Sequence, residues 1–166
     1  PPGAPAIGAK AYNPENLTSV EGGWKARLAG GRAQLSVSAF HYDYQDLQLS
    51  SIVDNGAGGV VNRIVNAGKA SVSGLEVESK LKVGAAGRFD AWLGLTKARY
   101  DDYANCINEV TGNAAVCTGN TLRNAPELQA GVAYEHMLPL GADLLRLRAA
   151  FQGATRFPAF HFPHPP

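Results

Sequence analysis

Between Leu75 and Val83 the chain alternates with a period of two. One parity reads Leu75, Val77, Ser79, Leu81, Val83, and the other reads Glu76, Glu78, Lys80, Lys82. A helix would mix these sets around its circumference, whereas a strand sends them to opposite faces. One face is then apolar and the other fully charged. The pattern recurs where Val20, Gly22, Trp24, Ala26 and Leu28 alternate with Glu21, Gly23, Lys25 and Arg27. It recurs again through Phe89, Ala91, Leu93 and Leu95, through Leu128, Ala130, Val132 and Tyr134, and through Leu145, Leu147, Ala149 and Phe151. Period-two rules predict about six strands, near Ser19–Leu28, Ala33–Leu49, Arg63–Val83, Arg88–Tyr100, Leu128–Leu138 and Asp143–Gln152.

The connections carry a second pattern. Ala29-Gly30-Gly31-Arg32, Gly84-Ala85-Ala86-Gly87 and Pro139-Leu140-Gly141-Ala142 are tight and rich in glycine, as hairpin turns require. The intervening connections, about Ser50–Asn62 and about Asp101–Glu127, are predicted to be long loops. Outer-membrane barrels alternate short periplasmic turns with longer extracellular loops in this way. A soluble sandwich has no physical reason to keep its long loops at one end. The expected fold is therefore all-β, an antiparallel up-and-down meander forming part of a transmembrane β-barrel. About six strands fall short of the roughly eight in the smallest membrane barrels, so the chain reads as a stretch of a larger one.

Composition sharpens this reading. Charged residues are only 17% of the chain and the formal net charge is +1, which argues against a nucleic-acid partner. No apolar run approaches the ~18 residues of a transmembrane helix, but transmembrane strands of ~9–11 alternating residues need none. The organisation expected is a leading loop segment over residues 1–18, barrel wall over 19–152 and a Pro-rich tail over 153–166, in which Arg156–Pro166 is too rich in proline for a strand. Cys106 and Cys117 lie in one polar stretch, too far apart for a CxxC motif. A disulfide closing this loop is the favoured expectation, and two free thiols are the alternative.

Several stretches resemble the barrel region of TonB-dependent receptors. Asn13-Pro14-Glu15 followed by Glu21-Gly22-Gly23-Trp24-Lys25 looks like that family's PE…E.G.K strand opening. Phe40-His41-Tyr42-Asp43-Tyr44-Gln45-Asp46-Leu47-Gln48 resembles its aromatic F-Y-x-D-Y-x-D-x-Q strand. Asn66-Ala67-Gly68-Lys69-Ala70 with Gly74-Leu75-Glu76-Val77-Glu78 is similar to its N-A-G-x-A…G-x-E-x-E segment, and Asn124-Ala125-Pro126-Glu127 to its N-A-P-E. The resemblance covers about Asn13 to Phe151. It implies a barrel of about 22 strands with a plugged lumen. It also implies a bacterial outer-membrane location and import of a siderophore–iron complex, cobalamin or carbohydrate. The TonB complex would drive that import through a plug and TonB box not visible in these residues. The partners so implied are outer-membrane lipid, the TonB complex and an unidentified small molecule.

A lysine costs roughly 2–4 kcal/mol on the lipid face of a barrel at the midplane and little in a wet lumen. Glu76, Glu78, Lys80 and Lys82 are therefore expected to face the lumen, and Leu75, Val77, Leu81, Val83, Leu145 and Leu147 the lipid. Tyr42, Tyr44, Tyr100 and Tyr103 lie near the loop ends of their strands and suit an aromatic girdle. Yet Phe40, Tyr42 and Tyr44 have the opposite parity from Leu35 and Val37, so either a bulge intervenes or these rings face the lumen. Asp101 and Asp102 read as a solvated loop. No cofactor, metal site or enzymatic activity is expected. An outer-membrane hydrolase would need a serine–histidine or similar constellation at the rim. His41 near Asp43 is the only hint, with no recognisable nucleophile beside it. The rival functions are a passive porin-like barrel and a soluble β-sandwich binding module.

Overall fold

The computed structural model describes residues 13–54, 58–104, 106–108 and 111–155. Residues 1–12 of the leading segment and 156–166 of the Pro-rich tail lie outside the described residues. The chain forms β1 (Asn16–Leu28), β2 (Ala33–Asp54), β3 (Val60–Val83), β4 (Gly87–Tyr103), β5 (Cys106–Ile107), β6 (Ala114–Ala115), β7 (Leu128–Leu140) and β8 (Asp143–Ala154). Six of them build one sheet in the order β1-β2-β3-β4-β7-β8, every neighbour antiparallel. β5 and β6 pair separately, inside the connection between β4 and β7. Among the described residues β1 and β8 are the open edges of the sheet.

Strand boundaries differ from the sequence expectation mainly at the loop end. The connection expected over Ser50–Asn62 is largely strand, because Leu49–Asp54 pairs with Val60–Val65. A run of Val60, Val61, Ile64 and Val65 suits a pleated surface, and pairing across the ladder overrides the turn signals around it. β4 continues to Tyr103, beyond the expected Tyr100. β1 begins inside the expected leading segment, at Asn16, and β8 ends inside the expected tail, at Ala154. Pro139 was expected in a turn but lies in β7, opposite Leu144. β4 reaches along β7 only to His136, so at Pro139 no ladder donor is missing on that side.

Directly opposed residues of an antiparallel pair point to the same face, so the register traces both faces across the sheet. Leu75, Val77 and Leu81 share a face with Ala39, Val37 and Ala33 of β2, which oppose Gly22, Trp24 and Leu28 of β1. In the other direction they oppose Leu95, Leu93 and Phe89 of β4, then Leu128, Ala130 and Tyr134 of β7. Val132 opposes Phe151, His136 opposes Leu147 and Leu138 opposes Leu145. The result is one continuous apolar face. On β3 it runs from Leu75 to Val83, about 26 Å at the usual strand rise.

That face is not a core. Trp24, Leu28, Leu81, Leu95, Val132 and Leu147 are exposed, and Val20 and Phe151 expose 69% and 75% of their surface. The buried cluster lies elsewhere, at the loop end, where Ala70, Tyr100, Tyr103, Cys106 and Cys117 pack with Tyr44, Leu47, Leu49, Ala115 and Leu122.

Candidate functional site

The second face carries the charge. Glu76, Glu78, Lys80 and Lys82 stand together on it, opposite Ser38, Ser36 and Gln34 on β2 and Asp90 and Arg88 on β4. Glu135 and Arg148 continue the row onto β7 and β8. Arg88 reaches Asp90 at 3.1 Å and Glu135 at 3.8 Å, and Arg146 reaches Glu135 at 3.8 Å. Glu135 is nearly buried between the two guanidinium groups. Their charge makes that burial tolerable, because an unpaired buried carboxylate is strongly disfavoured.

Aromatic rings share this face with the charges. The β2–β3 register is unbroken from Ala33 to Tyr44, so no bulge turns Phe40, Tyr42 or Tyr44 toward the apolar side. Phe40 and Tyr42 stack at 4.9 Å between ring centroids. Phe40 lies over Gly74 and Trp92 over Gly131, in each case the glycine directly opposite, and a Cβ on either glycine would collide with the ring. The missing side chain is what lets each ring lie flat across its neighbour strand. Tyr100 and Tyr103 are also on the charged side, 5.0 Å apart and buried. Of the two readings open for Tyr42 and Tyr44, the one without a bulge holds, and Tyr100 and Tyr103, expected in a girdle, are corrected to the same charged face and its loop-end cluster. Parity, not nearness to a loop, decides the side.

The motif residues converge at the loop end. The register shifts between Tyr44 and Leu47 and again between Leu47 and Gln48, with Asp46 in a left-handed conformation at φ 57°. Asp tolerates that region better than most residues. The bulge is held by side chains from the other motifs. Asn66 Nδ2 donates to the carbonyls of Asp46 (2.7 Å) and Asn13 (2.8 Å), and the Asn13 N–H donates to Asn66 Oδ1 (2.6 Å). The Gln48 N–H donates to the Glu15 carboxylate. Asn13, Glu15, Asp46, Gln48 and Asn66, scattered over three sequence motifs, are thus one latch joining the start of β1 to the bulge in β2 and to β3. Glu15→Ala in the complete folded protein should cost about 1 kcal/mol, and Glu15→Gln less, because an amide oxygen still accepts the Gln48 N–H. Urea titration of folding into vesicles checks this, and an unaltered midpoint for Glu15→Ala would count against the latch.

Beyond the latch the β5–β6 hairpin folds back over the sheet. Cys106 and Cys117 are joined by a disulfide, S–S 2.01 Å. β5 packs against β2, two strands away from β4, and Tyr103 Oη donates to the Ser50 carbonyl at 2.7 Å. The returning chain runs along β4 through Cys117 N–H to the Tyr103 carbonyl, Gly119 N–H to the Tyr100 carbonyl and Leu122 N–H to the Ala98 carbonyl. Under the hairpin is a cavity of about 360 Å³, lined by residues that include Leu49, Ser50, Asn62, Tyr103, Ile107 and Arg123. Burial raises the Tyr100 and Tyr103 phenols above their ordinary value, with nearby Arg123 opposing the shift.

On β2 and β3 a polar group continues the apolar face toward the loop end, beyond Ala39 and Leu75. His41 Nδ1 is 2.8 Å from Ser73 Oγ, and His41 Nε2 is 3.2 Å from Asp43 Oδ1. Sequence reasoning singled out His41 and Asp43 and missed Ser73. Only the cross-strand pairing of His41 with Ser73 brings the serine to the imidazole.

Comparison with known proteins decides the family. Residues 1–160 match the family described as TonB dependent receptor-like, beta-barrel. The chain belongs to this family. No curated protein matches it. Among solved structures it is similar to the ferric yersiniabactin uptake receptor FyuA from Yersinia pestis, with a TM-score of 0.58 and 20% sequence identity. That likeness covers 83% of this chain and 18% of the FyuA chain, so the TonB-dependent receptor barrel here spans under a fifth of that receptor's length. The antiparallel meander is the shared fold.

Proposed function

We propose that this chain is barrel wall, centred on residues 19–152, of an outer-membrane TonB-dependent importer that takes up a scarce nutrient of the siderophore–iron, cobalamin or carbohydrate kind. The observation that carries the reading is the exposed apolar face. A soluble protein rarely leaves a contiguous apolar patch beyond a few hundred Å² in water. Here such a face crosses all six strands, and among the described residues no second sheet covers it. Hydrocarbon is the solvent that suits it. Leu75, Val77, Leu81, Val83, Leu145 and Leu147 then meet lipid. Glu76, Glu78, Lys80 and Lys82 face a water-filled lumen, where their charges stay hydrated or paired. The membership of the family and the likeness to an uptake receptor support transport energised through TonB.

Spin labels on single cysteines test the orientation in the complete protein in vesicles. Labels at Leu75→Cys and Val77→Cys should relax with oxygen, which concentrates in lipid, and labels at Glu76→Cys and Glu78→Cys with a water-soluble nickel chelate. Equal access of the chelate to both parities would overturn the membrane reading.

A further inference from the structure

Two aromatic rings on the charged face lie along the wall rather than standing off it. Phe40 lies over Gly74 and Trp92 over Gly131, where a Cβ on either glycine would collide with the ring. One face of each ring covers its glycine and the other is turned to the lumen. Trp92 keeps 39% of its surface exposed. Tyr42 extends the surface of Phe40, its ring 4.9 Å from the Phe40 ring and 22° from parallel. By register Phe40 and Trp92 are two strands and two alternations apart, roughly 17 Å on the lattice of a sheet. Glu76 and Glu78 stand on β3 between them, and Glu21 opposes Phe40 on β1. Beside Phe40 the wall is hollowed into a cavity of about 530 Å³, lined by residues that include Glu21, Lys25, Ser36, Ser38, Glu76 and Glu78. That volume is in the range of small-molecule sites.

We propose that Tyr42, Phe40 and Trp92, with Glu21, Glu76 and Glu78 among them, form a binding track for a neutral oligosaccharide. The chemistry of the surface names the ligand. A pyranose has an apolar C–H face and an edge of hydroxyl groups. Its C–H face suits the negative face of an aromatic ring. Its hydroxyls suit carboxylates, which only accept hydrogen bonds. Glu21, Glu76 and Glu78 enter no ion pair among the described residues, so their oxygens are open to such donors. The separation of Phe40 from Trp92 fits a short chain of sugars better than a single one.

The same surface disfavours other cargo. Between Tyr42 and Trp92 the charged face holds one cation among the described residues, Lys25, against three carboxylates. An anionic ferric chelate, or the phosphodiester of cobalamin, would meet uncompensated like charge there. A cationic ligand seated on Trp92 would lie one alternation from Lys80, whose register partner Asp90 is already held by Arg88. A neutral polyol avoids both penalties. The assignment rests on the charged face lining the lumen of an importer, and it narrows that importer's cargo to carbohydrate.

The test uses the complete protein that contains this chain, in detergent micelles. The probes are an immobilised array of neutral oligosaccharides, with a ferric tris-catecholate and cyanocobalamin as rivals. A linear oligosaccharide of the array should bind. Calorimetry with that oligosaccharide should give a Kd weakened roughly 3- to 10-fold by Phe40→Ala and by Trp92→Ala, the range of one aromatic contact. Trp92→Phe should recover part of the loss. Phe89→Leu, on the apolar face of β4, should leave the Kd unchanged. Heat-modifiable gel migration checks that each variant folds. Silence of the whole array, or oligosaccharide binding that neither ring variant weakens, overturns the proposal. Binding of the tris-catecholate or of cyanocobalamin by a protein that ignores every oligosaccharide overturns the carbohydrate assignment and leaves the importer reading in place. The spin-label pattern at residues 75 to 78 reports the orientation of the wall independently of all these outcomes.

Discussion

Val132→Lys is expected to destabilise the barrel by roughly 2–4 kcal/mol, whereas Gln152→Lys should stay within about 0.5 kcal/mol of the unaltered protein. The two sites are neighbours on β7 and β8. Val132 opposes Phe151, and Gln152 opposes Gly131. They differ only in face. Val132 lies in the middle of the apolar stretch, in register with Ala91 and, through it, Ser79, while Gln152 shares the charged face with Arg148. An ammonium at position 132 must be desolvated in hydrocarbon or reach to the interface, and either route costs free energy. The same ammonium at position 152 stays in water. Urea titration of folding into vesicles, read by heat-modifiable migration, measures both. Equal cost at the two sites would mean that the faces do not separate lipid from water.

The division of these strands into an apolar and a charged face, on which this prediction builds, was readable from the chain alone. Glu76, Glu78, Lys80 and Lys82 alternate with apolar residues inside nine positions, and strand geometry is strictly local. The same holds for the parity conflict at Phe40, Tyr42 and Tyr44, which the unbroken register settles in favour of the charged side. What was not legible depends on register between strands, which alternation does not specify. Ser73 looks like any small polar residue until the β2–β3 pairing sets it against His41. Glu15 and Gln48 look like separate motif residues until the bulge at Asp46 turns the Gln48 N–H toward the carboxylate. The Ser50–Asn62 stretch was misjudged for a related reason. Its glycines mark a turn, but the β-branched residues that follow extend the ladder almost to that turn.

The hairpin that carries the disulfide is the part of the chain whose stability is most separable from the wall. Replacing both Cys106 and Cys117 by serine should remove roughly 3 kcal/mol of loop-closure stabilisation on the chain-entropy account. The loss should fall on residues 106–122 and leave the six-stranded ladder intact, because the strands of that ladder pair with one another over most of their length without the loop. The two phenols supply the readout. Burial raises Tyr100 and Tyr103 above the ordinary 10.0, so the protonated form is favoured in the packed state. The stabilisation linked to them is fully present below pH 10 and is lost as pH rises through their raised values. In the bonded protein these two tyrosines should therefore ionise after the exposed ones in a spectrophotometric titration, and the hairpin should loosen only in that alkaline range. In the serine variant the late-titrating pair should shift back toward 10, with faster amide exchange at Tyr100, Cys117→Ser and Gly119. An unchanged tyrosine titration would show that the packing of Leu49, Tyr100 and Tyr103 holds the hairpin without the covalent link.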